Sequence, residues 1–316
     1  MINAKQFVAV ILIFFSIANS QNLDTLDTLD IIPPVADTLP QYQIKPVRLA
    51  IVGGTIGALY TAAFIGIFKD GWWKYYEPFN FEPYKADMTY AVNMDKFGHF
   101  YAGVLFGEAF AYAYDWVGFS PFYATFWAAV TVGFTQIAIE LKDGFSPYGY
   151  SVWDAASGTL GGFYAMGKRF IPAMQYVDYK WTYFPSRREY WNNVKDNENG
   201  IFTDDYPNHS HWLSFKVKKM LPSVAKPYWP GFLGLALGLA MDCKQYEPGK
   251  KMKDGGYEYY LSLDYDLEAI FNPGQTWSKN LVAVINHVKF PAPAVRFGEN
   301  AKFFPLHPMY GFSVNI

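Results

Sequence analysis

Asp95-Lys96-Phe97-Gly98-His99 places a carboxylate and an imidazole one turn apart on a single helical face. Gln136, Glu140 and Asp143 share a face in the same way. Ser151 and Asp154 then open the next apolar stretch, after a turn from Gly144 to Tyr150. If these stretches pack side by side, Asp95, Lys96, His99, Glu140, Asp143, Ser151 and Asp154 converge at one end. Charged groups inside an apolar bundle are costly unless paired, so their presence asks for a reason. Three reasons stay open. The first is structural: Ser151-Val152-Trp153-Asp154 fits a capping box, Asp95 suits the first turn of its helix, and Lys96 and Lys142 neutralise nearby carboxylates. The second is a divalent metal ion held by Asp95, His99, Glu140 and Asp154. Oxygen ligands with one imidazole suit magnesium, calcium or manganese and could accept iron or zinc, whereas one histidine without cysteine argues against structural zinc. The third is proton transfer by His99 beside a carboxylate, although no nucleophile motif, phosphate loop or two-histidine protease pattern accompanies it.

The elements that must carry these groups are apolar. Of the 316 residues only 17% are charged and 20% are aromatic, and the formal net charge of -2 gives no reason to expect a nucleic-acid partner. A basic start at Lys5, an apolar core from Phe7 to Ala18 and the small residues Ala18-Asn19-Ser20 read as a cleaved signal peptide over 1–20. The single cysteine, Cys243, excludes an internal disulfide and does not sit where lipid would be attached after cleavage. Residues 21–45, with their Leu-Asp-Thr repeats and three prolines, read as a disordered linker.

Four apolar segments follow, Val47–Phe68, Phe97–Tyr114, Trp116–Ile139 and Ser151–Met166, and the first and third are long enough to cross a bilayer. Asp154, Gly158 and Gly162 recur at the spacing that lets helix backbones approach closely. Trp72-Trp73 and Trp181 with Tyr183 form ring-rich edges of the kind found at membrane boundaries. A cleaved signal and four spans would return the chain to the outer side. Lys168, Arg169, Lys180, Arg187 and Arg188 lie there against the positive-inside rule, which favours the outer over the inner membrane. Residues 46–190 are therefore expected to be a helical domain and 191–316 a strand-rich region. Strands are expected at Phe232–Met241, Tyr257–Tyr265, Leu281–Val288 and Met309–Ile316, and Pro291 and Pro293 point to an edge or a loop. His209-Ser210-His211 is expected in a solvated loop. The fold class is α+β, a membrane-associated bundle of about four helices followed by a small antiparallel sheet.

The order Asp95-Lys96-x-x-His99, Glu140-x-x-Asp143, Ser151-x-x-Asp154 resembles the YfiM-like family of predicted periplasmic lipoproteins, a domain of unknown function. More distantly it is similar to VanZ-like membrane proteins. The resemblance covers roughly Trp72 to Arg169 and implies an envelope location and a helical domain, without a reaction. This chain departs from the lipoproteins in lacking an acylated cysteine. The functional expectation is a non-enzymatic cell-envelope protein, a structural or accessory subunit of an outer-membrane or periplasmic complex, with membrane lipid and envelope proteins as partners. The alternative is a metal-dependent hydrolase or transferase acting on an envelope lipid or glycan.

Overall fold

Apolar periodicity and terminal signals set four long helices: α1 (Pro46–Ala63), α2 (Met94–Val117), α3 (Pro121–Asp143) and α4 (Val152–Phe170). Pro46 and Pro121 stand in the first turns of α1 and α3, where a missing amide is tolerated. The computed structural model describes residues 42–65, 73–185, 203, 205–241, 256–272, 274–298, 301–309 and 313–315. The expected signal peptide, most of the linker, Trp72, Arg187, Arg188 and Cys243 lie outside the described residues.

α2 packs against α1, α3 and α4. Its contact with α4 is made of backbone. A Cβ on Gly103 would lie 2.0 Å from the Gly158 carbonyl oxygen, and one on Gly161 would lie 2.2 Å from that of Phe100. The small-residue spacing noted in α4 thus brings two helix backbones into direct contact. α1 docks less fully: only its Val52 is buried, against Ala113, Trp116 and Val117. Arg48 at its start donates to the Trp116 carbonyl at 3.0 Å and lies 5.0 Å from the Trp116 ring centroid. The connections Gly118–Ser120 and Gly144–Ser151 are short, so the start of α2, the end of α3 and the start of α4 meet at one end.

The second layer is one antiparallel sheet in sequence order: β1 (Val177–Tyr183), β2 (His209–Phe215), β3 (Leu233–Met241), β4 (Tyr257–Tyr265), β5 (Ala292–Phe297), β6 (Lys302–His307) and β7 (Val314–Asn315). The sheet begins inside the region expected to be helical, because β1 precedes residue 190 and packs on α2 through Phe100–Tyr179 and Tyr101–Trp181 ring contacts. Leu281–Val288, expected as a strand, lies mostly in helix α5 (Thr276–Ile285). Its aliphatic run fits either period, and one face of the helix is what packs. His209 and His211 are buried in β2, not in a solvated loop. β5 is interior, between β4 and β6, and Pro293 is accommodated because the register shifts between Ala292 and Ala294. The amide of Trp181 donates to the His287 carbonyl and that of Lys289 to the Trp181 carbonyl, so the chain leading into β5 returns to the free edge of β1. The sheet is larger and more closed than the small sheet expected.

Both faces of the sheet carry apolar side chains. Leu213, Leu237, Leu261, Val295 and Phe303 stand opposite one another across five strands, and all but Val295 are exposed. The opposite face buries an apolar cluster of Trp212, Ala236, Ala240, Tyr260, Ala294 and Phe304, with Lys180, Ser214, Ser262 and Asp264 among it. Gly103→Ala should cost at least about 3 kcal/mol, the upper part of the overpacking range, because the new methyl meets a carbonyl that no rotamer change can move. Chemical denaturation checks it; an unchanged midpoint would mean that α2 and α4 do not touch as described.

Candidate metal centre

Each side chain at the shared helix end is placed by a local device. α2 is entered through three successive left-handed residues, Ala91, Val92 and Asn93, with φ of 47°, 52° and 62°. Such a turn is costly for residues carrying a Cβ, and it swings the chain so that Asp95 and Lys96 face inward. Ser151 caps α4: its Oγ accepts from the Asp154 amide at 3.0 Å and donates to Asp87 Oδ2 at 3.0 Å. The Ser151 amide donates to Glu140 Oε2 at 3.1 Å, tying the end of α3 to the start of α4.

Lys96 is the hub. Its Nζ lies 2.5 Å from Asp87 Oδ1, 3.1 Å from Asp95 Oδ2 and 3.2 Å from Asp154 Oδ1. Burial opposes its charge, but Asp95, Asp154 and Asp87 outweigh that and hold the ammonium above the ordinary lysine range. Asp95 is pushed up to about 8, first by burial and then by the neighbouring Asp154 charge, against the pull of Lys96.

His99 supplies the other half. Its Nδ1 is 2.8 Å from Gln136 Oε1, a contact that orients the ring. Nε2 faces Glu140 Oε1 at 3.7 Å. One ligand atom from each of His99, Glu140 and Asp154 lies within 4.8 Å of the others, a group that could hold a metal ion. Glycine makes this arrangement possible: a Cβ on Gly158 would lie 2.3 Å from the Gln136 side chain. The His99 side chain is 26% exposed and that of Glu140 only 3%, so the group is open on the imidazole side.

Six of the seven expected site residues come together here: Asp95, Lys96, His99, Glu140, Ser151 and Asp154. Asp95 contacts Lys96 and not the His99 group, so the four-residue metal set expected from sequence narrows to three. The Asp143 carboxylate accepts from the Trp73 indole and stands outside that group. Asp154 does not close a reciprocal capping box; its carboxylate faces Lys96. Sequence reading missed Asp87 and Glu82, which stand in a short segment without periodicity. Gln136 was visible on the α3 face, but its role as the histidine's orienting partner was not.

A second buried ionic network provides the contrast. Lys168 lies 2.8 Å from Glu108 and 2.7 Å from Asp178, Lys216 lies 3.2 Å from Asp178, and Lys180 lies 2.7 Å from Asp264. Asn286 bridges Asp178 and Lys180, and His287 Nε2 meets Glu108 at 3.1 Å. Glu268 and Lys289 join through Lys216 and Asp264, so four acids there face four lysines, and although burial alone would raise Glu108, Lys168 and His287 bring it down to about 2. That network joins helices to sheet and balances acids against lysines, although Asp178 Oδ1 and Asp264 Oδ1 face their lysines without a hydrogen bond of good geometry. At the helix end three buried acids, Asp87, Asp95 and Asp154, face the single ammonium of Lys96, and a fourth, Glu140, faces His99; burial and then the Asp154 and Asp143 charges push Glu140 up to about 10. Asp95 and Glu140 thus keep their protons near neutral pH, and a bound cation is what would favour their ionised, ligating forms.

No protein-family model, curated protein or solved structure matches the chain.

A carboxyl raised on folding stabilises the fold below its unfolded value, near pH 4, and that contribution is lost as pH rises through its folded value, about 8 for Asp95. Glu140, pushed up to about 10 chiefly by burial, acts in the same sense, so in chelator-treated buffer the denaturation midpoint should fall between pH 5 and 8, and Asp95→Asn should lessen the fall while the part due to Glu140 remains. A midpoint that rises across this window contradicts the assignment.

Proposed function

We propose that this is a membrane-associated protein of the bacterial cell envelope whose helix ends are joined by one divalent cation at His99, Glu140 and Asp154, and that it serves as a structural or accessory subunit. One observation carries the reading: buried acids outnumber cations at the helix end, and one ligand atom each of His99, Glu140 and Asp154 lies within 4.8 Å of the others. A cation there would join α2, α3 and α4 directly. Lys96 cannot act on a substrate without giving up its contacts to Asp87, Asp95 and Asp154, which favours a structural role.

Membrane association draws on two further features. α1 and α3 are long and apolar enough to cross a membrane, by length and composition. Along α3, Tyr123, Trp127, Val130, Phe134, Ile137 and Leu141 recur on one exposed face, with Phe134 70% exposed. The outward aliphatic face of the sheet adds to this surface, and apolar area of that extent calls for lipid or protein cover. The likeness of the ordered motif to YfiM-like and VanZ-like proteins supports the same reading.

The rival reading, a metal-dependent hydrolase or transferase of an envelope lipid or glycan, is favoured by one feature. The exposure of His99 leaves a side on which water could complete the coordination.

Two outcomes are expected. The protein should stay in the membrane fraction through carbonate extraction; release as a monodisperse monomer without detergent contradicts the membrane assignment. Manganese at a hundredfold excess over its dissociation constant should stabilise the purified protein by about 2.7 kcal/mol, and His99→Ala and Glu140→Gln should each remove most of that gain. Equal gains in wild type and both variants contradict the centre.

A further inference from the structure

Two groups at the helix end have metal-ligand spacing, and they share a residue. His99, Glu140 and Asp154 form one; Glu82, Asp87 and Asp154 form the other, again with all three ligand atoms within 4.8 Å. Two cation positions bridged by a common carboxylate are the plan of paired-metal sites. Here the positions are not equivalent. Two of the three members of the second group, Asp87 and Asp154, already hold the Lys96 ammonium, at 2.5 and 3.2 Å. Asp95 closes on the same nitrogen at 3.1 Å.

The contact is one of charge more than of direction. Asp87 Oδ1 and Asp154 Oδ1 are both shielded from solvent and receive no hydrogen bond of good geometry, although each faces the ammonium. Oxygens gathered around a positive centre without directed donors are what a spherical ion requires, and calcium or magnesium would draw them in to about 2.0–2.6 Å. Burial reinforces the point, since Asp87, Asp95, Lys96 and Asp154 are all buried.

We infer that Lys96 is a built-in cation that fills the second position of a paired cation centre, and that removing its side chain opens a divalent-metal site formed by Glu82, Asp87 and Asp154 with Asp95 beside it. The inference shares Asp154 with the centre proposed above and extends that reading, but its ligands are otherwise separate. In the native chain the lysine sets the stoichiometry at one divalent ion. It also supplies a counter-charge that cannot dissociate, so the start of α2 stays joined to Asp87 and α4 whatever the cation supply.

The test is manganese binding to the full-length detergent-purified protein, counted by equilibrium dialysis, with thermal unfolding followed in chelator and in manganese. Wild type should bind one ion per chain and Lys96→Ala two. Lys96→Ala with Asp87→Asn should return to one. Lys96→Ala should melt well below wild type in chelator and recover most of the difference in manganese. A folded Lys96→Ala protein that binds no more manganese than wild type overturns the inference. So does a Lys96→Ala protein that stays unfolded when produced and purified in manganese, because a cation is then unable to replace the ammonium. If wild type binds no ion and Lys96→Ala binds one that depends on Asp87, this inference stands and the His99 centre falls. If wild type binds one ion lost in His99→Ala while Lys96→Ala gains none, the reverse holds.

Discussion

A buried carboxylate without a counter-charge costs several kcal/mol, and four buried acids meet at one end of the helices, three around the Lys96 ammonium and Glu140 beside His99. Much else at this end can be read as a means of holding that imbalance in place. Ser151 ties Asp87, Glu140 and the first turn of α4 together with three hydrogen bonds. Gln136 fixes the imidazole of His99, and Gly158 vacates the space in which Gln136 lies. The left-handed turn over Ala91, Val92 and Asn93 delivers Asp95 and Lys96 to the same point. An arrangement this costly is retained where a ligand offsets it, whereas the balanced network around Asp178 needs none.

The two layers meet water differently from an ordinary soluble α+β protein. Some charge is directed inward in both: into the helix end around Lys96, and into the inner face of the sheet, where Lys180 and Asp264 lie beside the Trp212–Tyr260–Phe304 cluster. Apolar side chains are directed outward in both, as the α3 stripe and as the row Leu213, Leu237, Leu261 and Phe303. The close contact of α2 with α4 through Gly103, Gly158 and Gly161 suits the same setting, because backbone packing does not depend on expelling water from large apolar side chains. The proposed envelope membrane location accounts for all three features together.

Much of the centre was legible in the sequence because polar residues there interrupt apolar periodic stretches: Asp95 and His99 at the head of α2, Glu140 at the tail of α3, Asp154 at the head of α4. Short connections then make convergence almost unavoidable. Asp143 had equal sequence support and turned away, because Trp73, from a segment without any pattern, takes its carboxylate. Asp87 and Glu82 carried no signal, since nothing in Glu82-Pro83-Tyr84-Lys85-Ala86-Asp87 marks an inward face. In the second layer, β4 was read from its alternation, while β2 was taken for a loop because its inward and outward faces are both rich in polar or ring side chains. Leu281–Val288 was read as a strand because a short aliphatic run satisfies either period until its neighbours are known.

The central claim is that His99 is a ligand to a cation held among these carboxylates. The most direct measurement is electron spin-echo spectroscopy of manganese bound to the purified protein. The account predicts a nitrogen coupling from one imidazole in wild type that disappears in His99→Ala. Bound manganese without any nitrogen coupling, or a coupling that survives loss of His99, would contradict it.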